Sequence, residues 1–313
     1  MKILITEMIW ENGLHLLKQF GDVVYDPQLW QKDLLFEKIQ DADALVVRNQ
    51  TNVNEELLDQ APQLKVIGRL GVGMDNIDIP AAKAKNVRIV YAKNANATSV
   101  AEYVFAAMFD ASRKLFQANS DVHKGNWNRK QFTGFEISGK TLGLIGLGEI
   151  AKRVAKRANS FGLHVVGYDP FVSKFDYVLN ELNVQPVSLN ELLTQSDFVS
   201  IHVPLTNETR NLLSIQNLQQ MKSTAFIINT SRGGIINEQD LLAAAENQVI
   251  SGAYLDVIET EPIHPENPLL SNEKIVLTPH IAGLTEESQL RTSELVAEEV
   301  GKVLEGKPVL CSI

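Results

Sequence analysis

A chain of 313 residues with a formal net charge of −9 and a single cysteine excludes several classes of protein. The acidic balance would repel the phosphate backbone of a nucleic acid, and one thiol, Cys311, allows no intrachain disulfide. Hydrophobic residues at 44% and charged residues at 21% are typical of a globular protein, and this length favours two domains.

The N-terminal segment MKILITEMIW predicts a strand that leads into a helix. It lacks the basic start, long apolar run and cleavage site of a signal peptide. No stretch of the chain approaches the roughly 18 consecutive apolar residues of a membrane span. We therefore expect a cytoplasmic protein with neither a nucleic acid nor a membrane as partner. No metal site is predicted.

Up to residue 90 the chain alternates short β-branched runs with amphipathic segments, which is typical of a parallel sheet covered by helices on both faces. Asn54 precedes one of the amphipathic segments and is a candidate N-cap. The strands are predicted at residues 2–6, 23–25, 44–47, 65–68 and 88–90. The helices are predicted at residues 13–20, 33–39 and 54–60.

A small, polar break, KNANATS (93–99), separates this part from a second βα series. Apolar residues at helical spacing predict one long helix from Ser99 to Asn119, and the chain ends in another amphipathic helix at 285–306. The pattern predicts two α/β domains in tandem, each with a parallel sheet, and the larger domain second. The strands of the second series are predicted at residues 141–146, 164–169, 197–203, 224–230, 250–257 and 274–278.

A glycine-rich turn, Gly146-x-Gly148-x-x-Ala151, follows a predicted strand and opens a helix. The first glycine allows a tight turn, the second lets the backbone approach a pyrophosphate, and Ala151 is small enough for close packing. Asp169 ends the next strand, close to the spacing of about 20 residues at which a carboxylate binds the adenosine ribose. Because no Arg or Lys occupies 170–172, the pattern favours NAD over NADP. Packing of the turn and capping of the strand are the structural alternatives.

Ionisable residues follow several strands of the second series, at the sheet edge where ligands bind. Arg232, Glu261 and His280 could together support hydride transfer at a carbonyl beside NAD. His280 would donate the proton that the developing alkoxide needs, and Glu261 would hold the other ring nitrogen and favour the charged form. Arg232 would bind a substrate carboxylate, a task suited to a planar cation. Each residue alone could be structural, and His202 is a rival histidine at another strand end.

The chain resembles the D-isomer-specific 2-hydroxyacid dehydrogenases over nearly its whole length. The resemblance implies that His280 is the acid/base, Glu261 its partner and Arg232 the substrate-orienting cation. It favours His280 over His202 and assigns Asp256 to the carboxamide side of the nicotinamide. The segments that carry the resemblance are GRLGVGMDNID (68–78), SVAEYV (99–104), GLIGLGEIAKRVA (143–155), HVPLTNETRNLL (202–213), INTSRGGIINEQDLLAA (228–244), AYLDVIETEP (253–262) and TPHIAGLT (278–285).

The same resemblance implies a Rossmann-type NAD-binding domain, residues 97–285, inserted into a flavodoxin-like substrate domain, residues 1–96 and 286–313. The active site would lie in the cleft between them. The helix from Ser99 resembles the dimer-forming element of the family, so we expect a homodimer. The candidate cofactor-binding residues are Gly146, Gly148, Glu149, Ile150, Asp169, Pro204, Thr230 and Asp256. The candidate substrate-binding residues are Arg48, Arg69, Leu70, Gly71, Val72 and Gly73.

Within the family, VVRNQT (46–51) and IGRLGVG (67–73) look most like the D-3-phosphoglycerate dehydrogenases. In those enzymes, arginines at the places of Arg48 and Arg69 meet a distal phosphate, although each arginine could instead form a surface ion pair. The glycines of LGVG would expose N–H groups to the substrate carboxylate. The resemblance therefore predicts NAD-dependent interconversion of an anionic 2-hydroxy acid, such as 3-phosphoglycerate, and its 2-keto acid.

Two departures from those enzymes leave the substrate open. Leu70 stands where they usually have alanine, which should reshape the pocket, and YAKNANATS (91–99) lacks their usual proline and glycine before the long helix. Sulfolactate, hydroxypyruvate and glyoxylate are therefore alternative substrates, in either direction. An NAD(H)-sensing binding protein is the alternative of another class. Because the chain ends at Ile313 without an amino-acid-sensing domain, feedback by serine is not expected.

Overall fold

The computed structural model describes residues 1–313 and divides into two compact units. The first unit comprises Met1–Asn96 and Leu284–Ile313, and the second comprises Ala97–Gly283. None of the helices combines the length and apolar character that a bilayer crossing requires.

The first unit is built on a five-stranded, wholly parallel sheet with the order β2-β1-β3-β4-β5, which is the flavodoxin-like order. Asn54 caps its helix as predicted, because its side chain accepts a hydrogen bond from the Leu57 N–H. The strands are β1 Lys2–Ile5, β2 Asp22–Tyr25, β3 Ala44–Val47, β4 Val66–Arg69 and β5 Arg88–Tyr91. The helices are α1 Glu11–Leu17, α2 Lys32–Lys38, α3 Glu55–Asp59, α4 Ile79–Ala84 and α12 Glu286–Leu304.

Both faces of this sheet are buried, because consecutive residues of β1 contribute to different cores. Leu4 packs with the helices on one face, whereas Ile3 and Ile5 pack on the other face with α12. Small residues let α12 approach closely: a Cβ at Gly13 of α1 would lie 2.7 Å from the Ser293 carbonyl oxygen. The last helix of the chain therefore completes the core of the first unit.

The second unit has a seven-stranded, wholly parallel sheet with the order β12-β11-β10-β9-β6-β7-β8. This is the strand order of a doubly wound Rossmann fold, so the predicted fold class is confirmed. The strands are β6 Thr141–Ile145, β7 His164–Tyr168, β8 Val184–Pro186, β9 Phe198–Ile201, β10 Phe226–Asn229, β11 Gly252–Leu255 and β12 Ile275–Leu277. The helices are α5 Ala97–Arg113, α6 Leu115–His123, α7 Glu149–Ser160, α8 Tyr177–Glu181, α9 Leu189–Gln195, α10 Ile215–Leu218 and α11 Glu238–Glu246.

The prediction of a single helix from Ser99 to Asn119 is wrong, because the chain forms two helices that meet at Lys114. Lys114 is left-handed, with a φ of 50°. The Ser112 carbonyl, which a continuous helix would pair with the residue four positions on, instead accepts a hydrogen bond of 3.1 Å from the Phe135 N–H. A segment distant in sequence thus ends α5, and apolar spacing carries no sign of it.

Candidate active site

The turn between β6 and α7 requires glycine at its start and leaves space at its end. Gly146 has a φ of 89°, and a Cβ there would lie 2.5 Å from the His202 carbonyl oxygen. Gly148 is the N-cap of α7 without a side-chain hydrogen bond, and nothing lies within 4 Å of where its Cβ would be. The first N–H groups of α7, including those of Glu149 and Ile150, are therefore available to a phosphate.

Asp169 ties the end of β7 to this turn. Its Oδ2 accepts a hydrogen bond of 2.9 Å from the Leu147 N–H, and its Oδ1 accepts one of 2.9 Å from the Phe171 N–H. Each carboxylate oxygen can accept a further bond, so a ribose hydroxyl can also be bound. Asp169 thus shapes the turn as well as offering a charge beside it.

The loop after β10 contains a polar group that lacks a partner. The Thr230 hydroxyl is buried and makes no hydrogen bond within the protein. Since buried polar groups are nearly always hydrogen-bonded, this hydroxyl is suited to form a hydrogen bond with a bound ligand. Together with the open space at Gly148, it supports a fit of these residues to a dinucleotide. Pro204 lies at the exposed start of the loop after β9, where its carbonyl accepts a hydrogen bond from the Thr209 hydroxyl.

His202, the rival histidine, is unsuited to proton transfer. Its Nε2 lies 3.0 Å from the Ser200 hydroxyl, and its Nδ1 is shielded from solvent without a partner. Burial of the ring lowers its pKa from 6.5 to about 3. His202 therefore stays neutral near pH 7.

Arg232 lies on a loop that is held by a buried asparagine. The Asn229 side chain, at the end of β10, donates to the Arg232 carbonyl at 2.9 Å and accepts from the Ser231 N–H at 3.0 Å. The guanidinium of Arg232 donates to the Ser231 carbonyl at 2.6 Å. Sequence reasoning missed Asn229, although a polar residue inside an apolar strand is a usable signal.

The next loop packs directly against this one. A Cβ at Gly233 would overlap the carbonyl group of Ile258, so the two loops can touch only because position 233 is glycine. Glu261 lies on that second loop, and its Oε1 accepts a hydrogen bond of 3.2 Å from the Ile258 N–H. The loops after the adjacent strands β10 and β11 therefore carry Arg232 and Glu261 at the same edge of the sheet.

Glu261 and His280 form the direct contact that was predicted for proton transfer by His280. His280 Nδ1 lies 2.8 Å from Glu261 Oε2, and the two side chains are 51% and 39% exposed, so a small molecule can reach them. His280 adopts a left-handed conformation with a φ of 56°, three residues after β12. Its Nε2 makes no hydrogen bond within the protein and is available to a substrate.

Asp256, at the end of β11, organises the loop that carries His280. The carboxylate is only 1% exposed and accepts hydrogen bonds from the Thr278 hydroxyl and from the N–H groups of Ile281 and Ala282. The Asp256 carbonyl also accepts from the His280 N–H. This carboxylate is thus engaged with its own loop, and its assignment to the nicotinamide carboxamide stays a prediction.

Arg48 directly follows β3, and Arg69 is the last residue of the adjacent strand β4 in the first unit. Arg48 is half-buried, and burial lowers the pKa of its guanidinium while the charge of Glu7 counteracts part of that effect. The guanidinium of Arg69 donates to the Leu70 carbonyl at 2.8 Å. A Cβ at Gly71 would collide with that guanidinium, so glycine permits this placement of Arg69.

The loop after β4 offers backbone donors, although not from every predicted position. The Gly71 N–H donates to the Arg69 carbonyl, whereas those of Val72 and Gly73 make no hydrogen bond within the protein. Leu70 is 5% exposed, and its side chain packs in the hydrophobic core beside α12.

Comparisons with known proteins agree with these features. A family model described as D-isomer specific 2-hydroxyacid dehydrogenase, NAD binding domain, matches residues 105–282. A D-3-phosphoglycerate dehydrogenase from Methanocaldococcus jannaschii is 43% identical over 307 residues, which are 98% of this chain and 58% of the relative. The chain thus spans little more than half the length of that relative.

Two further matches differ in what they act on. A glyoxylate reductase from Thermofilum pendens is 37% identical over 313 residues, which are 98% of this chain and 92% of the relative. The structure of an acyclic imino acid reductase, Bsp5, in complex with NADPH and D-arginine has a TM-score of 0.90 at 28% identity, with 100% of both chains covered.

Proposed function

Because the chain belongs to the D-isomer-specific 2-hydroxyacid dehydrogenase family, we propose that it is an NAD-dependent oxidoreductase that interconverts a 2-hydroxy acid and its 2-keto acid. The contact of 2.8 Å between His280 Nδ1 and Glu261 Oε2 carries this proposal. This contact orients His280 as an acid/base at the sheet edge that also carries Arg232 and the glycine-rich turn between β6 and α7.

The nicotinamide cofactor, when bound, supplies the hydride donor or acceptor. During reduction of the keto acid, His280 gives the proton on Nε2 to the carbonyl oxygen, and during oxidation neutral His280 takes the hydroxyl proton. Glu261 accepts from Nδ1–H, which selects the tautomer and orients the ring. Arg232 orients the substrate by binding its carboxylate. Nε2 of His280 is available to the substrate, and loop contacts hold both the Glu261 carboxylate and the Arg232 guanidinium.

The proposed substrate is 3-phosphoglycerate, for which the relative from M. jannaschii is named. The cations Arg48 and Arg69 support a substrate with a second anionic group, and the N–H groups of Val72 and Gly73 suit an anion. The relative from T. pendens makes glyoxylate reduction the second candidate. The two candidates differ in whether the substrate has a distal anion.

A panel of acids assayed through NADH absorbance tests this proposal. The panel contains 3-phosphoglycerate, sulfolactate, glycerate, lactate, hydroxypyruvate and glyoxylate, each in the direction that its oxidation state allows. We expect the highest kcat/KM with 3-phosphoglycerate, and a higher value with glyoxylate would select the second candidate. Tight NADH binding without turnover of any acid would instead indicate an NAD(H)-sensing protein.

The cofactor is proposed to be NAD rather than NADP, because the Asp169 carboxylate would repel a 2′-phosphate. Replacing Asp169 by asparagine removes the charge and keeps one accepting oxygen, so only one of the bonds from the Leu147 and Phe171 N–H groups can be retained. We expect the ratio of kcat/KM for NAD to that for NADP to fall by about 10-fold or more, as expected when a like-charge repulsion is removed. The matched control is Glu181→Gln, an exposed residue of the same unit. An unaltered ratio in Asp169→Asn would mean that another residue selects the cofactor.

We further propose that the homodimer expected through the helix from Ser99 forms at the C-terminal part of that predicted helix, which is α6, and at the segment after it. This region exposes large apolar side chains, with Leu115 63%, Phe116 77% and Trp127 77% exposed, and such patches commonly mark protein interfaces. The double variant Phe116→Arg/Trp127→Arg is expected to sediment as a monomer while the wild type sediments as a dimer. Leu310→Arg, which changes an apolar side chain that is 80% exposed on the first unit, should remain dimeric. A monomeric wild type would contradict the proposal.

A further inference from the structure

A buried carboxylate lies beneath the loop that carries Arg48. Glu7, two residues after β1, is only 4% exposed. Its Oε1 accepts from the N–H groups of Arg48 at 2.8 Å and Thr51 at 3.0 Å, and its Oε2 accepts from those of Asn49 at 3.0 Å and Gln50 at 2.9 Å. One side chain therefore satisfies every N–H group of residues 48–51.

The charge on Glu7 is maintained by these donors. Burial opposes ionisation, but the backbone hydrogen bonds from Gln50, Thr51 and Arg48 outweigh it and hold the pKa of the carboxyl below its ordinary value. A side chain that only filled space would need neither a charge nor four donors. The arrangement instead fixes the conformation of the loop at the residue that bears the guanidinium.

The same loop is held from its carbonyl side by Asn76. The Asn76 side chain donates to the Thr51 carbonyl at 2.6 Å and to the Arg48 carbonyl at 3.2 Å. Its own backbone carbonyl accepts from the Val53 N–H at 2.8 Å. Because Asn76 follows the glycine loop after β4, it joins the loop of Arg48 to the loop that bears the free N–H groups of Val72 and Gly73.

We propose that Glu7 and Asn76 are positioning residues that hold Arg48 for the distal anionic group of the substrate. This inference rests on the proposed function, since it requires that a second anion be bound in the first unit. A guanidinium binds an anion strongly only when its fork is held in register with the oxygens. Glu7 supplies that restraint through the backbone and also a compensating charge for a half-buried cation. Preference for substrates with two anionic groups is thus expected to depend on residues that do not touch the substrate.

The variant Glu7→Gln tests this inference through substrate selectivity. A carboxamide has one accepting oxygen and presents its own N–H groups to the loop, so part of the restraint is lost with almost no change in volume. We expect kcat/KM for 3-phosphoglycerate to fall about 10-fold further than kcat/KM for glyoxylate, mainly through KM, because only the former uses the distal contact. The matched control is Glu55→Gln, an exposed residue of the same unit, whose selectivity should equal that of the wild type.

A second variant covers the case in which Glu7→Gln fails to fold. Asn76→Ala removes the two bonds to the loop carbonyls without burying or removing a charge, and it should shift selectivity in the same direction. Its control is Asn52→Ala, which alters an exposed asparagine. Equal losses with both substrates, accompanied by a lower Tm, would show a merely structural role and overturn the inference.

The outcomes separate this inference from the proposed function. A wild type that turns over glyoxylate but no dianionic acid would refute the proposed substrate, and the role of Glu7 and Asn76 toward a distal anion would fall with it. A wild type that turns over 3-phosphoglycerate, with unchanged selectivity in Glu7→Gln and Asn76→Ala, would overturn the inference alone.

Discussion

Replacing His280 by alanine is expected to lower kcat by about 10²- to 10⁴-fold, the usual effect of losing a general acid–base group. The imidazole Nδ1 lies 2.8 Å from Glu261 Oε2, and its Nε2 is available to a substrate oxygen. NADH affinity should remain nearly unchanged, because the dinucleotide turn and Asp169 lie on other strands. Steady-state kinetics and a fluorescence titration of NADH measure the two quantities on the same preparation.

The matched control for His280→Ala is His164→Ala, which alters an exposed histidine at the start of β7. That variant should keep the kcat of the wild type. His202 offers a sharper contrast, since its pKa of about 3 leaves it without a proton to give near pH 7. Full turnover in His280→Ala would remove His280 from the mechanism and require another acid/base.

Arg232→Ala is expected to lower kcat/KM by about 10²- to 10³-fold, as is typical when one fixed donor to a reacting or bound oxygen is removed. Asn229 holds the Arg232 carbonyl and the Ser231 carbonyl accepts from the guanidinium, so the side chain is preorganised on the loop after β10. Arg232→Lys should recover only part of the loss, because an ammonium keeps the charge but not the planar fork.

Two comparisons make the Arg232 experiment decisive. Arg88→Ala, which alters an exposed arginine at the start of β5, should leave kcat/KM unchanged. If Arg232→Lys matched the wild type, the site would need only a positive charge. If Arg232→Ala kept full kcat/KM, Arg232 would not bind the substrate at all.

Most of the fold could be predicted because its signals are local. Strands β1, β3, β6 and β10 coincide with β-branched runs that are followed by turn residues. The alternation of strands and helices along the chain predicts two parallel sheets. The short edge strand β8 was missed, since three residues carry too little periodicity. The break at Lys114 was also missed, because the Phe135 N–H that takes the Ser112 carbonyl comes from a distant segment.

Part of the candidate site could be predicted in the same way. Gly146, Asp169 and His280 were identified from motif and spacing, since each follows a strand at a point where parallel sheets bind ligands. The residues that hold the loops were not identified, because a buried polar side chain is recognised only by its partners. Glu7 and Asn229 belong to this group.

The sequence by itself determined that this chain forms two parallel α/β units, and it identified which ionisable side chains stand at strand ends, because periodicity and turn motifs are properties of neighbouring residues. The pairing of Glu261 with His280 was predicted from strand ends and from the family resemblance, and the structure shows the contact. Only the tertiary structure decided that Asp256 is engaged by the loop of His280 and that Glu7 underlies Arg48. These contacts join residues far apart in the chain. Their geometry depends on how the sheets bring strand ends together, which no local pattern encodes.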